Sequence, residues 1–83
     1  MNISAELSLY PLDADYKPVI IDYIEALKQY EGLEIRTHAL STEVFGDYAT
    51  VMAAVQEATK AVFESSAAVI LVARYLNRDR REE

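Results

Sequence analysis

Runs of alternating hydrophobicity in this chain are broken twice by runs of helical period, and the order in which they come admits few folds. Residues 3–10, ISAELSLY, place Ile3, Ala5, Leu7 and Leu9 on one side and Ser4, Glu6, Ser8 and Tyr10 on the other. That is the pattern of a half-buried strand, and Pro11 helps to end it by removing a ladder donor. Tyr16, Val19, Ile20, Tyr23, Ile24 and Leu27 then recur at helical spacing. Asp15 is placed to cap this helix, Pro18 is tolerated in its first turn, and Gly32 falls where a left-handed terminating residue belongs. LEIRTH alternates again, with Leu33, Ile35 and Thr37 opposite Glu34, Arg36 and His38. After Ala39-Leu40-Ser41, TEVFG forms a second short strand, so the pair reads as a hairpin. Asp47 caps a second helix with the stripe Tyr48, Val51, Met52, Val55, Ala58 or Thr59, Val62 and Phe63. Ser65-Ser66 close that helix, AAVILVARYL is the last strand, and residues 77–83, NRDRREE, read as a frayed, solvated tail.

The order β-α-β-β-α-β predicts an α+β, ferredoxin-like βαββαβ sandwich. Two helices would cover one face of a four-stranded antiparallel sheet, with the first and third strands central. At 83 residues the chain has room for a single domain, near the small end of what folds alone. Ala67 to Ala73 is apolar at every position, so both faces of the last strand call for cover. If Val69, Leu71 and Ala73 face the helices, then Ala68, Ile70 and Val72 lie on the open face, with Phe45 expected there next to Tyr10. Apolar residues on that face predict a homo-oligomer, a dimer or tetramer assembled through the open sheet face and the sheet edges.

Composition narrows the function classes. A net charge of −6 argues against nucleic-acid binding, which needs a basic face to release counterions from phosphate. The absence of cysteine rules out disulfides and thiol chemistry. One histidine cannot build a His-rich metal site, and no metal or cofactor is expected. No apolar run reaches membrane-spanning length, and Met1-Asn2-Ile3 opens a strand pattern instead of a signal peptide. A cytoplasmic protein with no membrane association is the resulting expectation.

The candidates for chemistry are few. Ser41 with His38 is the only local nucleophile–base pair, but no nucleophile-elbow glycines surround it. The plainer reading is that His38 ends a strand while Ser41 and Thr42 bond the backbone of the turn. Glu6 and Glu43 both project from the open face if the first and third strands are neighbours. They could serve as acid and base or receive a cation, or simply be face charges paired with Arg36 and Arg74. Tyr16, Tyr23, Tyr48 and Phe63 lie on helical stripes and read as core. Tyr10 and Phe45, on the open face, could stack on a flat ligand or fill a subunit interface. Gly46 reads as structural, allowing close backbone approach where strand turns into helix.

AELSLYPL near the start and RTHALSTEVFGDYATVMAAVQEA in the middle resemble the thiamine-binding, YkoF-like family of small ferredoxin-like domains. The resemblance implies a non-enzymatic binding protein for thiamine or its hydroxymethylpyrimidine moiety, assembled through its sheets into dimers and tetramers. It carries over Ser8 and Tyr10 from the first strand and Thr37, Ser41 and Thr42 from the hairpin. His38 stands where the family pattern has Asn, and offers one donor and one acceptor in a different geometry. Hydroxyls and a carboxylate suit the edge of an aminopyrimidine, and Glu6 or Glu43 with an aromatic face would favour a thiazolium cation. Alternation sends Thr37 and Thr42 to the helix side but Ser8, Tyr10 and Glu43 to the other.

A thiamine or hydroxymethylpyrimidine carrier or sensor therefore competes with a regulatory oligomeric module for another small metabolite, which His38 favours, and with a structural oligomer that has no ligand. Replacing Ile70 with Asp is expected to dissociate the assembly; an unchanged mass in light scattering would reject the open face as the interface.

Overall fold

A computed structural model describes residues 1–82, and Glu83 lies outside the described residues. Its elements are β1 (Asn2–Pro11), α1 (Lys17–Leu27), β2 (Glu34–Thr37), β3 (Thr42–Asp47), α2 (Tyr48–Ser65) and β4 (Val69–Leu76). The strands form one antiparallel sheet in the order β2-β3-β1-β4, so the first and third strands are central. This is the ferredoxin-like sandwich.

Alternation in β1 fixes which residues face the helices. Ile3, Ala5 and Leu7 are buried, and register places Gly46, Val44 and Thr42 opposite them on β3. On the other flank Leu7 meets Ala73 and Leu9 meets Leu71, so β4 turns Val69, Leu71 and Ala73 toward the helices. Tyr23 and Leu27 of α1 and Val51, Ala54, Val55, Ala58 and Val62 of α2 complete the core. Burying this many apolar side chains, at about 1.5–3 kcal/mol for each large one, is the main force holding the layers together. The Tyr23 hydroxyl shares a 3.0 Å hydrogen bond with Thr59 Oγ1, so the one buried tyrosine keeps a polar partner as it bridges the helices. Burial, the larger effect, pushes the Tyr23 pKa up.

Several local expectations change. Asp47 caps α2, its carboxylate accepting from the Ala49 N–H at 3.2 Å. Asp15 does not cap α1: the N-cap is Tyr16 and makes no side-chain cap bond, because the turn after Pro11 carries the chain one residue further before it coils. Helix α1 ends at Leu27, and Gly32 supplies the left-handed residue, at φ 85°, in the turn that follows. Tyr23 is core, but Tyr16, Tyr48 and Phe63 are about half exposed, because each sits at an end or flank of its helix beyond the sheet's cover.

Phe45 lies on the open face but not beside Tyr10. It pairs with Ser4 and Glu34, while Tyr10 pairs with Ile70 at the other end of the sheet. Phe45 is nonetheless buried, because residues 78–81 do not fray. The Ser4 hydroxyl donates to the Arg78 carbonyl at 2.8 Å and accepts from the Arg80 N–H at 3.0 Å. Arg36 Nη1 donates to the Arg81 carbonyl at 2.8 Å, and the guanidinium carbons of Arg36 and Arg81 lie 5.2 and 5.5 Å from the Phe45 ring centroid. Arg81 also pairs with Asp79 and Glu34. Within the segment that reads as a tail, residues 78–81 form a strap, held by cation–π contact and charge-assisted hydrogen bonds.

Gly46 is the close approach in the sheet: an added Cβ would stand 2.6 Å from Leu33 Cδ2 and 3.0 Å from the Gly32 carbonyl oxygen. Gly46→Ala is therefore expected to destabilise the fold by about 1–3 kcal/mol, measured by urea unfolding. The strap gives a second expectation. Arg36 holds the Glu34 carboxyl below its usual range, and Arg81 does the same for Asp79. Groups with depressed folded-state pKa values stabilise above their unfolded values and lose that contribution as pH falls through the folded ones. The thermal midpoint should hold from pH 7 to about pH 5 and fall below about pH 4, and Glu34→Gln combined with Asp79→Asn should flatten that fall.

Candidate ligand-binding site

Pairing between β1 and β3 ends at Leu7 opposite Thr42, whereas pairing between β1 and β4 continues to Pro11 opposite Val69. Beyond Leu7, β1 thus has a strand neighbour on one side only. The 38–41 turn closes the hairpin beside this unaccompanied stretch, and the N-terminal half of α1 passes over it. Between them is a groove of about 430 Å³, a volume within the usual range of small-molecule sites.

Its floor comes from Leu7 and Leu9 of β1 with Ile20, Tyr23 and Ile24 of α1. Ser8, Tyr10, Leu12 and Tyr16 form one rim, and Thr37, His38, Leu40, Ser41 and Thr42 form the other. The division of the predicted residues between two faces is real: Thr42 opposes Leu7 and Thr37 on the helix side, and Ser8 opposes Val72 on the open side. The groove reconciles them because it lies past the end of β3, where the sheet no longer separates its two faces.

The polar groups sort into two kinds. One set shapes the lip. Ser8 Oγ donates to the Leu40 carbonyl at 3.2 Å, Ser41 Oγ donates to Glu6 Oε2 at 3.2 Å, and the His38 N–H donates to the Ser41 carbonyl at 2.8 Å. His38 Nε2 lies 2.7 Å from Glu43 Oε1. The other set has nothing to hold: the hydroxyls of Tyr10, Tyr16, Thr37 and Thr42 make no hydrogen bond among the described residues. Thr42 is only 7% exposed and lines the groove, and its unbonded hydroxyl is not sealed from solvent, so it is open to a ligand partner there.

Ser41 and His38 meet through backbone only; their side chains turn to different carboxylates, so no nucleophile–base hydrogen bond joins them. Glu6 and Glu43 are direct cross-strand neighbours on the open face. They stand behind the lip instead of lining the groove, and hold Ser41 and His38 in place. Glu6 also receives Arg74, through Nε at 2.9 Å and through Nη2. Its pKa is lowered chiefly by the bond from Arg74, with burial opposing and Ser41 and His38 assisting. Arg36 serves Glu34, not Glu43. Six of the eight predicted residues line the groove and two support it.

Leu12, Tyr16, Ile20, Ile24 and Leu40 also line it and are not among the ligand-binding residues expected from the sequence. Their signal in the sequence is indistinct, since Tyr16, Ile20 and Ile24 share the helical stripe of core residues. Leu40, at 88% exposed, is a large apolar side chain at a turn tip with no core to join.

A ferredoxin-like sandwich with an apolar groove, rimmed by uncommitted hydroxyls at the open end of its sheet, is the architecture of a small-molecule binding domain. The chain belongs to the thiamine-binding protein family, whose profile matches residues 5–83. Among solved structures it is similar to a hypothetical protein from Methanocaldococcus jannascii, with 28% identity and a TM-score of 0.82 over 98% of this chain and 84% of that one. A protein from Streptococcus pneumoniae shares the fold at 21% identity and a TM-score of 0.86, covering 95% of this chain and 89% of the other. So does a candidate thiamine biosynthesis/salvage protein from Thermotoga maritima, at 18% identity and a TM-score of 0.80, covering 94% and 85%. None of the curated proteins matches this sequence.

Proposed function

We propose that the protein binds thiamine or its hydroxymethylpyrimidine moiety in the groove between the 38–41 turn and α1, as a carrier or sensor that does not convert its ligand chemically. The observation that carries this reading is the pairing of uncommitted Thr37 and Thr42 hydroxyls with the exposed rings of Tyr10 and Tyr16 over an apolar floor. An aminopyrimidine presents donors and acceptors along one edge for the hydroxyls and a flat face for the rings. Family membership supports the same ligand class. The protein acts in the cytoplasm as a homo-oligomer in this reading. The exposed Ile70 and Val72, on the half of the open face that the strap leaves uncovered, favour assembly there. A second reading, a regulatory module for another small metabolite, is favoured by His38, whose imidazole takes the place of an amide at the lip.

Titration calorimetry tests the proposal. Thiamine or hydroxymethylpyrimidine should give saturable heat at one ligand per chain. Thr42→Val, which keeps the shape and removes the hydroxyl, should weaken binding by about tenfold. No saturable heat with either ligand would reject the thiamine reading, and a hit from a wider metabolite screen by thermal shift would then favour the second one.

A further inference from the structure

The charges around the groove point to a selectivity that its shape alone does not give. Among the described residues no lysine or arginine lines it. Its one titratable nitrogen group, His38, is bonded to Glu43, and Glu43 makes no ion pair with any lysine or arginine among the described residues. Glu6, behind the same lip, is paired with Arg74, whereas Glu43 touches no guanidinium or ammonium among the described residues: Arg36, its cross-strand neighbour, turns its guanidinium to Glu34. On the opposite rim Leu12 and Tyr16 are flanked by Asp13 and Asp15, exposed and without ion pairs among the described residues. Lys17, the nearest cation along the chain, does not line the groove.

Resting on the thiamine reading, we infer that the groove selects the unphosphorylated, cationic vitamin and rejects its phosphate esters, with Glu43 as a specificity-determining residue. Thiamine carries a permanent positive charge on its thiazolium ring and ends in a free hydroxyl. Esterifying that hydroxyl adds about −1.5 to −2 charges and several acceptor oxygens. Such oxygens need guanidinium, ammonium or clustered N–H donors to replace water. The groove offers them hydroxyls and the field of Glu43, Asp13 and Asp15, which raises the free energy of an anion and lowers that of a cation.

A calorimetric series on the intact protein at pH 8 and low salt tests this with thiamine, thiamine monophosphate, thiamine pyrophosphate and hydroxymethylpyrimidine. The monophosphate should bind at least about tenfold more weakly than thiamine, and the gap should narrow as added salt screens it. Glu43→Gln should weaken thiamine by about threefold, the scale of an exposed charge interaction, and leave the neutral hydroxymethylpyrimidine within about twofold. Leu40→Lys places a cation on a turn tip that is already solvent-exposed, where folding should not suffer, and should tighten the monophosphate by about tenfold. Phosphate esters bound by the unaltered protein as tightly as thiamine would overturn the inference while leaving the proposed function standing. So would a Leu40→Lys variant that unfolds at an unchanged thermal midpoint yet gains nothing for the monophosphate relative to thiamine. Failure of all four ligands to bind would instead remove the proposed function itself, and the inference with it.

Discussion

The site depends on one mismatch of length. Strand β1 spans ten residues and β3 only six, so after Leu7 the sheet continues on one side of β1 and stops on the other. A backbone that loses its ladder partner must be covered or wetted, and here it borders a groove closed by the hairpin turn and the start of α1. Were β3 extended by a further pair of residues, the hairpin would fill this space and the two faces of the sheet would be sealed from each other. The hydroxyls of Thr37 and Thr42, sent to the helix side by alternation, would then be core groups in need of partners.

The lip around that groove is built from the open face. Ser41 is held by Glu6, and Glu6 is held by Arg74 on β4. His38 is held by Glu43. These carboxylates sit directly opposite each other across β1 and β3, where like charges repel unless each has its own counter-group. Arg74 offsets the charge of Glu6, while Ser41 and His38 give the two carboxylates hydrogen-bond partners. The arrangement places the polar face of the sheet in the service of the groove's rim, even though the helices cover the other side.

Local periodicity carried most of the architecture. Strand alternation, the Asp47 cap and the phase of β4 follow from nearest-neighbour rules that act within a few residues, and they are found where those rules put them. The strap did not follow, because Arg78 to Arg81 have no apolar pattern of their own; their order comes from Ser4, Glu34, Arg36 and Phe45, all distant in sequence. Tyr16 shows the converse error: its helical spacing matches Tyr23, but it sits at the N-cap, beyond the layer that would bury it. The six groove residues could be chosen from type and resemblance. That they share one cavity depends on where a strand pairing stops, and single-residue patterns do not encode that.

The strap has a further consequence, for folding. Its anchor Ser4 reaches Arg78 across 74 positions, and β1 obtains its second neighbour only when β4 arrives. Contacts of such separation are slow to close, since chain entropy is lost before they return any energy. Until then one flank of the central strand is bare and Phe45 is open to solvent. During synthesis, the earlier part of this chain therefore waits with an adhesive edge, and residues 69–81 both complete the sheet and cover its exposed ring.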